Sequence, residues 1–299
     1  MGFFNSLIVH TIPIFPKKIV KIFANKYIAG DNIKDAIKTV TNLNERNFMA
    51  TVDVLGESIT DKDEAKKSKN ENIEVLDAIA EHKLNCNLSV KLTMMGLTID
   101  KEFCYGLLKE IVDNANKKNI FVRIDMEDSS VTEDTIQIFE RIRKDYTNVG
   151  IVIQAYLKRS EADIKRLIKI GANFRICKGI YVEPEEIAFK GYQEVRDNYL
   201  KILKIALEAG SYCGIATHDD YLIKGAEQII KELGLSNDKY EFQMLLGVQE
   251  RLRDETLKHG HRMRIYVPFG MRWYEYSIRR FKENPEVAKH VLKSIFSRG

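Results

Sequence analysis

One pattern recurs along the chain from residue 47 onward: a short β-branched run, a polar turn, and a longer stretch with helical periodicity. The predicted strands are Phe48–Val54, Asn87–Leu92, Ile120–Asp125, Gly150–Gln154, Asn173–Cys177, Tyr212–Thr217, Glu241–Leu245 and Arg264–Val267. The helical patterns cover residues 63–82, 101–117, 132–146, 161–170, 185–209, 220–234 and 248–259. Such alternation predicts parallel strands joined by crossover helices, and eight strands close a (βα)8 barrel of the TIM type.

The main alternative architecture is an open doubly wound sheet. That fold usually carries a glycine-rich turn after its first strand, and neither a G-x-G-x-x-G motif nor a P-loop occurs in this sequence. We therefore expect a barrel in residues 45–299 and an N-terminal helical arm in residues 1–44. Two further helical patterns, at 271–283 and 285–297, predict C-terminal helices over the barrel mouth.

The net charge of +4 is concentrated at the N-terminus. Residues 1–30 contain no acidic residue and four lysines, whereas the rest of the chain is balanced. A nucleic-acid-binding protein carries a basic excess on its folded body, so we expect no nucleic-acid partner. Together with apolar residues such as Phe3, Phe4 and Ile8, these lysines resemble an interfacial amphipathic element. Weak docking at a membrane surface and packing against the barrel are both open for this arm.

The cysteines predict a cytoplasmic protein. The four are far apart and form no C-x-x-C pair, which is typical of small buried side chains in a reducing compartment: Cys86, Cys104, Cys177 and Cys213. The sequence has no apolar run of transmembrane length, and its first residues lack a signal-peptide pattern. We therefore expect a cytoplasmic protein, with peripheral association at the inner face of the cell membrane as a further hypothesis.

Ionisable or amide side chains end nearly every predicted strand. In chain order they are Asp53, Lys91, Asp125, Gln154, Arg175 with Lys178, His218, Gln243 and the phenol Tyr266. A barrel places its active site at these strand ends, and buried polar groups need partners or a ligand. The alternative is that strand ends are polar because loops are polar. Glu127 and Asp128 have no third ligand at suitable spacing, so we predict no metal site.

Four residues after the last strand share one helical face: Tyr276, Arg279, Arg280 and Glu283. Two adjacent guanidinium groups suit a carboxylate or a phosphate. A solvated basic face that pairs with Glu283 is the alternative.

Several segments resemble the proline dehydrogenase family, in particular its single-function bacterial form, from about residue 40 to 285. They are SVKLTMMGL (89–97), VRIDMEDSS (122–130), IQAYLKRS (153–160), FRICKGIYVEP (174–184), IATHDD (215–220), FQMLLG (242–247) and RIYVPFGMRWYEYSIRRFKENP (264–285). The last segment contains the family motif Y-x-x-R-R-x-x-E.

The resemblance implies a distorted (βα)8 barrel that binds FAD non-covalently, with proline over the isoalloxazine ring. Lys91, Arg279 and Arg280 would hold the proline carboxylate. The other implied substrate-pocket residues are Asp125, Tyr266 and Tyr276, with Glu283 supporting the arginine pair. The implied cofactor-binding residues are Gln154, Arg175 near flavin N5, Lys178, Gly179, Tyr181, Thr217, His218 and Gln243.

The implied reaction is oxidation of L-proline to 1-pyrroline-5-carboxylate, with hydride passing from proline C5 to flavin N5 and electrons to a membrane quinone. Pyrroline-5-carboxylate dehydrogenase would be a further partner. No pair of residues is typical of a general base, so we expect solvent to take the amine proton. Two alternatives stay open: a Schiff-base lyase or aldolase that uses Lys91 or Lys178, and a non-catalytic barrel that binds a small anion.

Overall fold

The computed structural model describes residues 21, 24–56, 59–274, 276 and 277. Eight parallel strands form a closed barrel in sequence order. They are β1 (Met49–Val54), β2 (Cys86–Val90), β3 (Val122–Ile124), β4 (Val149–Gln154), β5 (Phe174–Cys177), β6 (Cys213–Ala216), β7 (Tyr240–Leu245) and β8 (Met263–Phe269). The barrel closes where β8 pairs with β1, from Met49 opposite Arg264 to Val54 opposite Phe269. The predicted barrel is confirmed.

Eight α-helices lie wholly within the described residues: one precedes the barrel, and one follows each of the first seven strands. They are α1 (Ile33–Glu45), α2 (Lys62–Glu81), α3 (Lys101–Lys117), α4 (Ser129–Arg143), α5 (Ser160–Ile168), α6 (Tyr192–Glu208), α7 (Asp220–Glu232) and α8 (Glu250–Lys258). A 3₁₀ turn, Leu92–Met95, follows β2 directly. None of the described helices is long and apolar enough to cross a bilayer.

The strands are buried on both faces, which explains their continuous apolar sequences. Every residue of β1 and β4 is buried, because one face packs inside the barrel and the other against the helices. Phe174 and Phe242 are fully buried in the same core. This packing leaves the strand ends as the place where polar side chains meet a cavity.

The predicted helix at 185–209 is wrong at its beginning, because α6 starts only at Tyr192. The Pro184 carbonyl accepts hydrogen bonds from the amides of Ile187 and Ala188, and Ala188 forms an isolated antiparallel bridge with Leu157. The carboxylate of Glu194 then accepts a hydrogen bond from the Gly191 amide at 2.8 Å, which caps the first turn of α6. The preceding residues are therefore a loop at the barrel mouth.

The segment before α1 joins the end of β8. The amide of Ala29 donates to the Pro268 carbonyl, and the amide of Gly270 donates to the Gly30 carbonyl, both at 2.9 Å. This pairing brings the buried Tyr27 to the wall of the cavity at the barrel mouth. Residues 1–20 and the predicted C-terminal helices beyond residue 277 lie outside the described residues, so the division into arm and barrel stays a prediction.

Candidate active site

A cavity of about 1070 Å³ opens at the carboxyl ends of the strands. Every predicted site residue that the structure describes lines it: Lys91, Asp125, Gln154, Arg175, Lys178, Gly179, Tyr181, Thr217, His218, Gln243, Tyr266 and Tyr276. The other three, Arg279, Arg280 and Glu283, lie outside the described residues. Side chains from separate strands thus meet at one place, as the strand-end pattern predicts.

Lys91 lies between two carboxylates at the cavity floor. Its Nζ donates to Asp53 Oδ1 at 2.6 Å and lies 3.5 Å from Asp125 Oδ2. Burial favours the neutral amine, but the charges of Asp53 and Asp125 outweigh it and hold the pKa of Lys91 well above its usual range. Lys91 is therefore a fixed cation at neutral pH.

Asp125 accepts hydrogen bonds from side chains on three other strands, β2, β5 and β8. The donors are Arg175 Nη1 at 2.5 Å, the Ser89 hydroxyl at 2.7 Å and the Tyr266 hydroxyl at 2.8 Å. Burial opposes ionisation of Asp125, but the positive charges of Arg175 and Lys91 outweigh it and lower its pKa. Asp125 is therefore ionised and is the common acceptor of these three donors. It lies just beyond β3, where its own amide donates to the Val90 carbonyl at 2.9 Å.

Tyr266 and Asp53 keep their protons more readily than usual. Burial, together with the negative charges of Asp125 and Asp53, raises the pKa of Tyr266 well above its ordinary value. Burial also raises the pKa of Asp53, although Lys91 opposes this. Asp125 has Arg175 as a second cation and Asp53 does not, so the two carboxyls shift in opposite directions. The neutral phenol of Tyr266 thus donates to Asp125, and its oxygen accepts from Lys91 Nζ at 3.4 Å.

A second group of charges lies on another wall of the cavity, around Asp219 at the beginning of α7. Asp219 pairs with Lys178 at 3.2 Å and with Arg196 at 2.7 Å, and it accepts from the Tyr192 hydroxyl at 2.9 Å. Burial alone would raise the pKa of Asp219, but these hydrogen bonds lower it far below the usual range. Lys178 is thereby held at the cavity edge.

The backbone beside these charges packs tightly against Tyr156. Gly179 has φ = +105°, and a Cβ there would collide with the Tyr156 ring. His218 Nε2 accepts from the Leu245 amide at 2.9 Å, which places the proton of the neutral ring on Nδ1. Thr217 Oγ1 accepts from the Asp219 amide at 3.1 Å. These two hydrogen bonds fix the end of β6 and join it to the end of β7.

Some residues of the site were absent from the predicted set. Asp53 is one of the predicted strand-end residues. This position is the feature of the sequence that could have indicated its pairing with Lys91. Arg196 carries no comparable signal, because it lies inside α6 and meets Asp219 only through the fold. Among the described residues, no cluster of three or more histidine, cysteine, aspartate or glutamate side chains could hold a metal ion.

The family model for proline dehydrogenase matches residues 36–293 of the chain. Proline dehydrogenase 2 of Bacillus subtilis is 40% identical over 275 residues, which cover 92% of this chain and 91% of that protein. Proline dehydrogenase of Deinococcus radiodurans is 30% identical over 277 residues, which cover 91% of this chain and 89% of that protein.

A solved structure supports the same relationship. Proline utilization A from Bdellovibrio bacteriovorus, inactivated by N-propargylglycine, superposes with a TM-score of 0.83 at 27% identity. The match covers 90% of this chain and 33% of that longer chain. Since the family model spans most of the sequence and the barrels superpose, this chain belongs to the proline dehydrogenase family.

Proposed function

We propose that the protein oxidises L-proline to 1-pyrroline-5-carboxylate, with FAD bound in the cavity at the barrel mouth. The observation that carries this proposal is the buried Lys91–Asp125–Arg175 cluster at the floor of that cavity. Fixed charges of both signs suit a small zwitterion, which brings a carboxylate and an amine together. Arg279 and Arg280, which the family motif contains, would complete the carboxylate site together with Lys91.

The described residues fit FAD in size and in chemistry. The cavity reaches the upper end of the range of about 300–1,000 Å³ that drug-sized ligands occupy, so it has room for more than one amino acid. The charge of Lys178, next to Gly179 on the cavity wall, suits a pyrophosphate, with Thr217 and His218 on the same lining. Gln154, Arg175, Tyr181 and Gln243 would hold the remainder of the cofactor.

When bound, the flavin supplies the acceptor for the hydride that leaves proline C5. The protein's own residues orient the substrate and fix the charges around it. Asp125, Tyr266 and Tyr276 would line the substrate position. Arg175, whose guanidinium is locked by Asp125, would place positive charge where the reduced cofactor becomes negative.

Solvent is the proposed acceptor of the amine proton. Asp125 already accepts three hydrogen bonds, and its lowered pKa makes it a weak base. Tyr266 and Lys91 are held in their protonated forms by the same charges. This set is suited to holding a substrate rather than to taking its proton.

The purified protein is expected to be yellow, with flavin absorption bands that bleach when L-proline is added without oxygen. A colourless protein that takes up no added FAD would overturn the cofactor proposal. Bands that stay unchanged with proline would overturn the reaction and favour a barrel that only binds a small anion.

A Schiff-base lyase needs a neutral lysine as its nucleophile. The raised pKa of Lys91 disfavours this role, and Lys178 is engaged by Asp219. Borohydride treatment with a carbonyl substrate should therefore leave the mass of the protein unchanged.

We further propose that the electrons pass to a membrane quinone, and that the protein is cytoplasmic with peripheral membrane association. The apolar and lysine-rich N-terminal sequence supports this proposal. Deletion of residues 1–20 should abolish binding to anionic liposomes while leaving proline-dependent bleaching intact; unchanged binding would contradict the membrane proposal.

Pyrroline-5-carboxylate dehydrogenase is the proposed partner that takes the product.

A further inference from the structure

A line of buried polar side chains runs from Arg175 into the barrel interior. Arg175 Nε donates to Gln243 Oε1 at 2.7 Å, and Gln243 Nε2 donates to Glu241 Oε1 at 2.6 Å. All three side chains are buried, and Glu241 does not line the cavity. Among the residues that the structure describes, Gln243 is therefore the link from Glu241 to the site.

The two neighbours of Gln243 leave its amide one orientation. A guanidinium only donates hydrogen bonds, and an ionised carboxylate only accepts them. The amide must turn its oxygen toward Arg175 and its nitrogen toward Glu241. A flipped amide would oppose donor to donor and acceptor to acceptor, leaving buried polar groups unpaired.

Glu241 is itself held as an ionised acceptor. Arg264 donates to both of its oxygens, at 2.6 Å through Nε and at 3.0 Å through Nη2, and the Tyr212 hydroxyl donates at 2.7 Å. Burial would raise the pKa of Glu241, but the charge of Arg264 and these hydrogen bonds lower it to about 2. The carboxylate thus stays an acceptor across the physiological pH range.

The neighbouring strand leaves room for this arrangement. Gly214 on β6 pairs with Glu241 on β7, and a Cβ at Gly214 would overlap Gln243 Nε2. A glycine on β6 thus accommodates the amide between the two charged side chains.

We propose that Glu241 is a positioning residue, which orients the Gln243 amide so that Gln243 Oε1 holds the guanidinium of Arg175 in place at the cavity. This inference rests on the proposed position of Arg175 beside the flavin. With Asp125 on Nη1 and Gln243 on Nε, the guanidinium is held from two directions. Loss of the Gln243 contact would let its charge move relative to the cofactor.

The test is the two-electron reduction equilibrium of the bound flavin, titrated without proline. Glu241→Gln replaces a pure acceptor with a group that also donates, so residue 241 no longer selects one orientation of the Gln243 amide and only the contact with Arg175 still disfavours the flip. Gln243→Met removes the link and leaves the Glu241–Arg264 pair intact. Both variants should lower the equilibrium constant by ~10-fold, which is about 30 mV. The matched control Tyr212→Phe removes one hydrogen bond from the same carboxylate. Its equilibrium constant should stay within about twofold of the wild-type value.

A double-mutant cycle separates positioning from a purely structural effect. In the Gln243→Met background, Glu241→Gln should cause no further change in the equilibrium constant. An additional drop there, or an equal effect in Tyr212→Phe, would overturn the proposal.

A second measurement needs neither cofactor nor turnover. Solvent exchange of the Arg175 Nε–H, followed by ¹⁵N NMR, should accelerate at least ~10-fold in Gln243→Met and Glu241→Gln, because a hydrogen-bonded buried proton exchanges only on local opening. If the purified protein binds no flavin, the cofactor proposal is refuted but the role of Glu241 is not. The exchange rate of the Arg175 Nε–H would then decide that role. Unchanged exchange in both variants would overturn that role.

Discussion

Replacing Asp125 by alanine is expected to lower kcat/KM for proline by ~100-fold or more, because truncating one partner of a buried charge pair costs about 2–5 kcal/mol. Asp125 is the carboxylate that Arg175, Ser89 and Tyr266 share. Without it, Lys91 keeps Asp53 as its ion-pair partner, and the guanidinium of Arg175 loses one of its two acceptors. Steady-state kinetics and the flavin content of the purified variant would measure the effect.

Two further variants separate the charge of Asp125 from one of its hydrogen bonds. Ser89→Ala removes one hydrogen bond and keeps the charge of Asp125, so kcat/KM should fall by less than ~10-fold. Asp125→Asn keeps the shape of the side chain and loses its charge, so its kcat/KM should be close to that of Asp125→Ala. A folded, flavin-loaded Asp125→Ala protein with kcat/KM within about threefold of wild type would contradict the assigned role of Asp125.

The barrel could be predicted from the sequence because its signal is local and repeated. Each strand is a short apolar run, and the closed sheet buries both faces of that run. The strand-end rule then located the polar residues of the cavity without knowledge of any contact. Helix α6 was predicted too long because the pattern did not reveal that Ala188 pairs with Leu157.

Contacts between distant elements could not be predicted in the same way. The sequence places Glu241 and Gln243 on one face of β7, two residues apart, but does not show that Arg264 and Arg175 lie at opposite ends of that pair. Tyr27 is brought to the cavity wall by the residues between it and α1, which pair with the end of β8. Such partners depend on strand register and loop course, which a single sequence leaves open.

Replacing Lys91 by methionine is expected to raise KM for proline by roughly 10- to 100-fold, because a hydrogen bond to a charged group contributes about 1.5–3 kcal/mol. Lys91 is the described cation proposed to contact the proline carboxylate, and methionine preserves much of its buried stem. The flavin should remain bound, since Lys91 is assigned to the substrate. Proline titrations of the initial rate, with the flavin spectrum recorded beside them, would test this.

The same variant should acquire a distinct pH dependence of stability. Burial already raises the pKa of Asp53, and removing Lys91 withdraws the cation that opposes this rise. A carboxyl whose folded pKa exceeds its unfolded value contributes stability at low pH and loses it as the pH rises through the folded pKa. The free energy of unfolding of Lys91→Met, relative to wild type, should therefore decrease as the pH rises through the raised pKa of Asp53.

Lys178→Met provides the matched control, because it removes a lysine from another wall of the same cavity. Its partner Asp219 keeps Arg196 and the Tyr192 hydroxyl, so the carboxylate stays paired and no new pH dependence is expected. The assigned roles predict weaker flavin binding in this variant, in contrast to the raised KM of Lys91→Met. If both variants raised KM equally and kept their flavin, the division of the cavity into substrate and cofactor walls would be wrong.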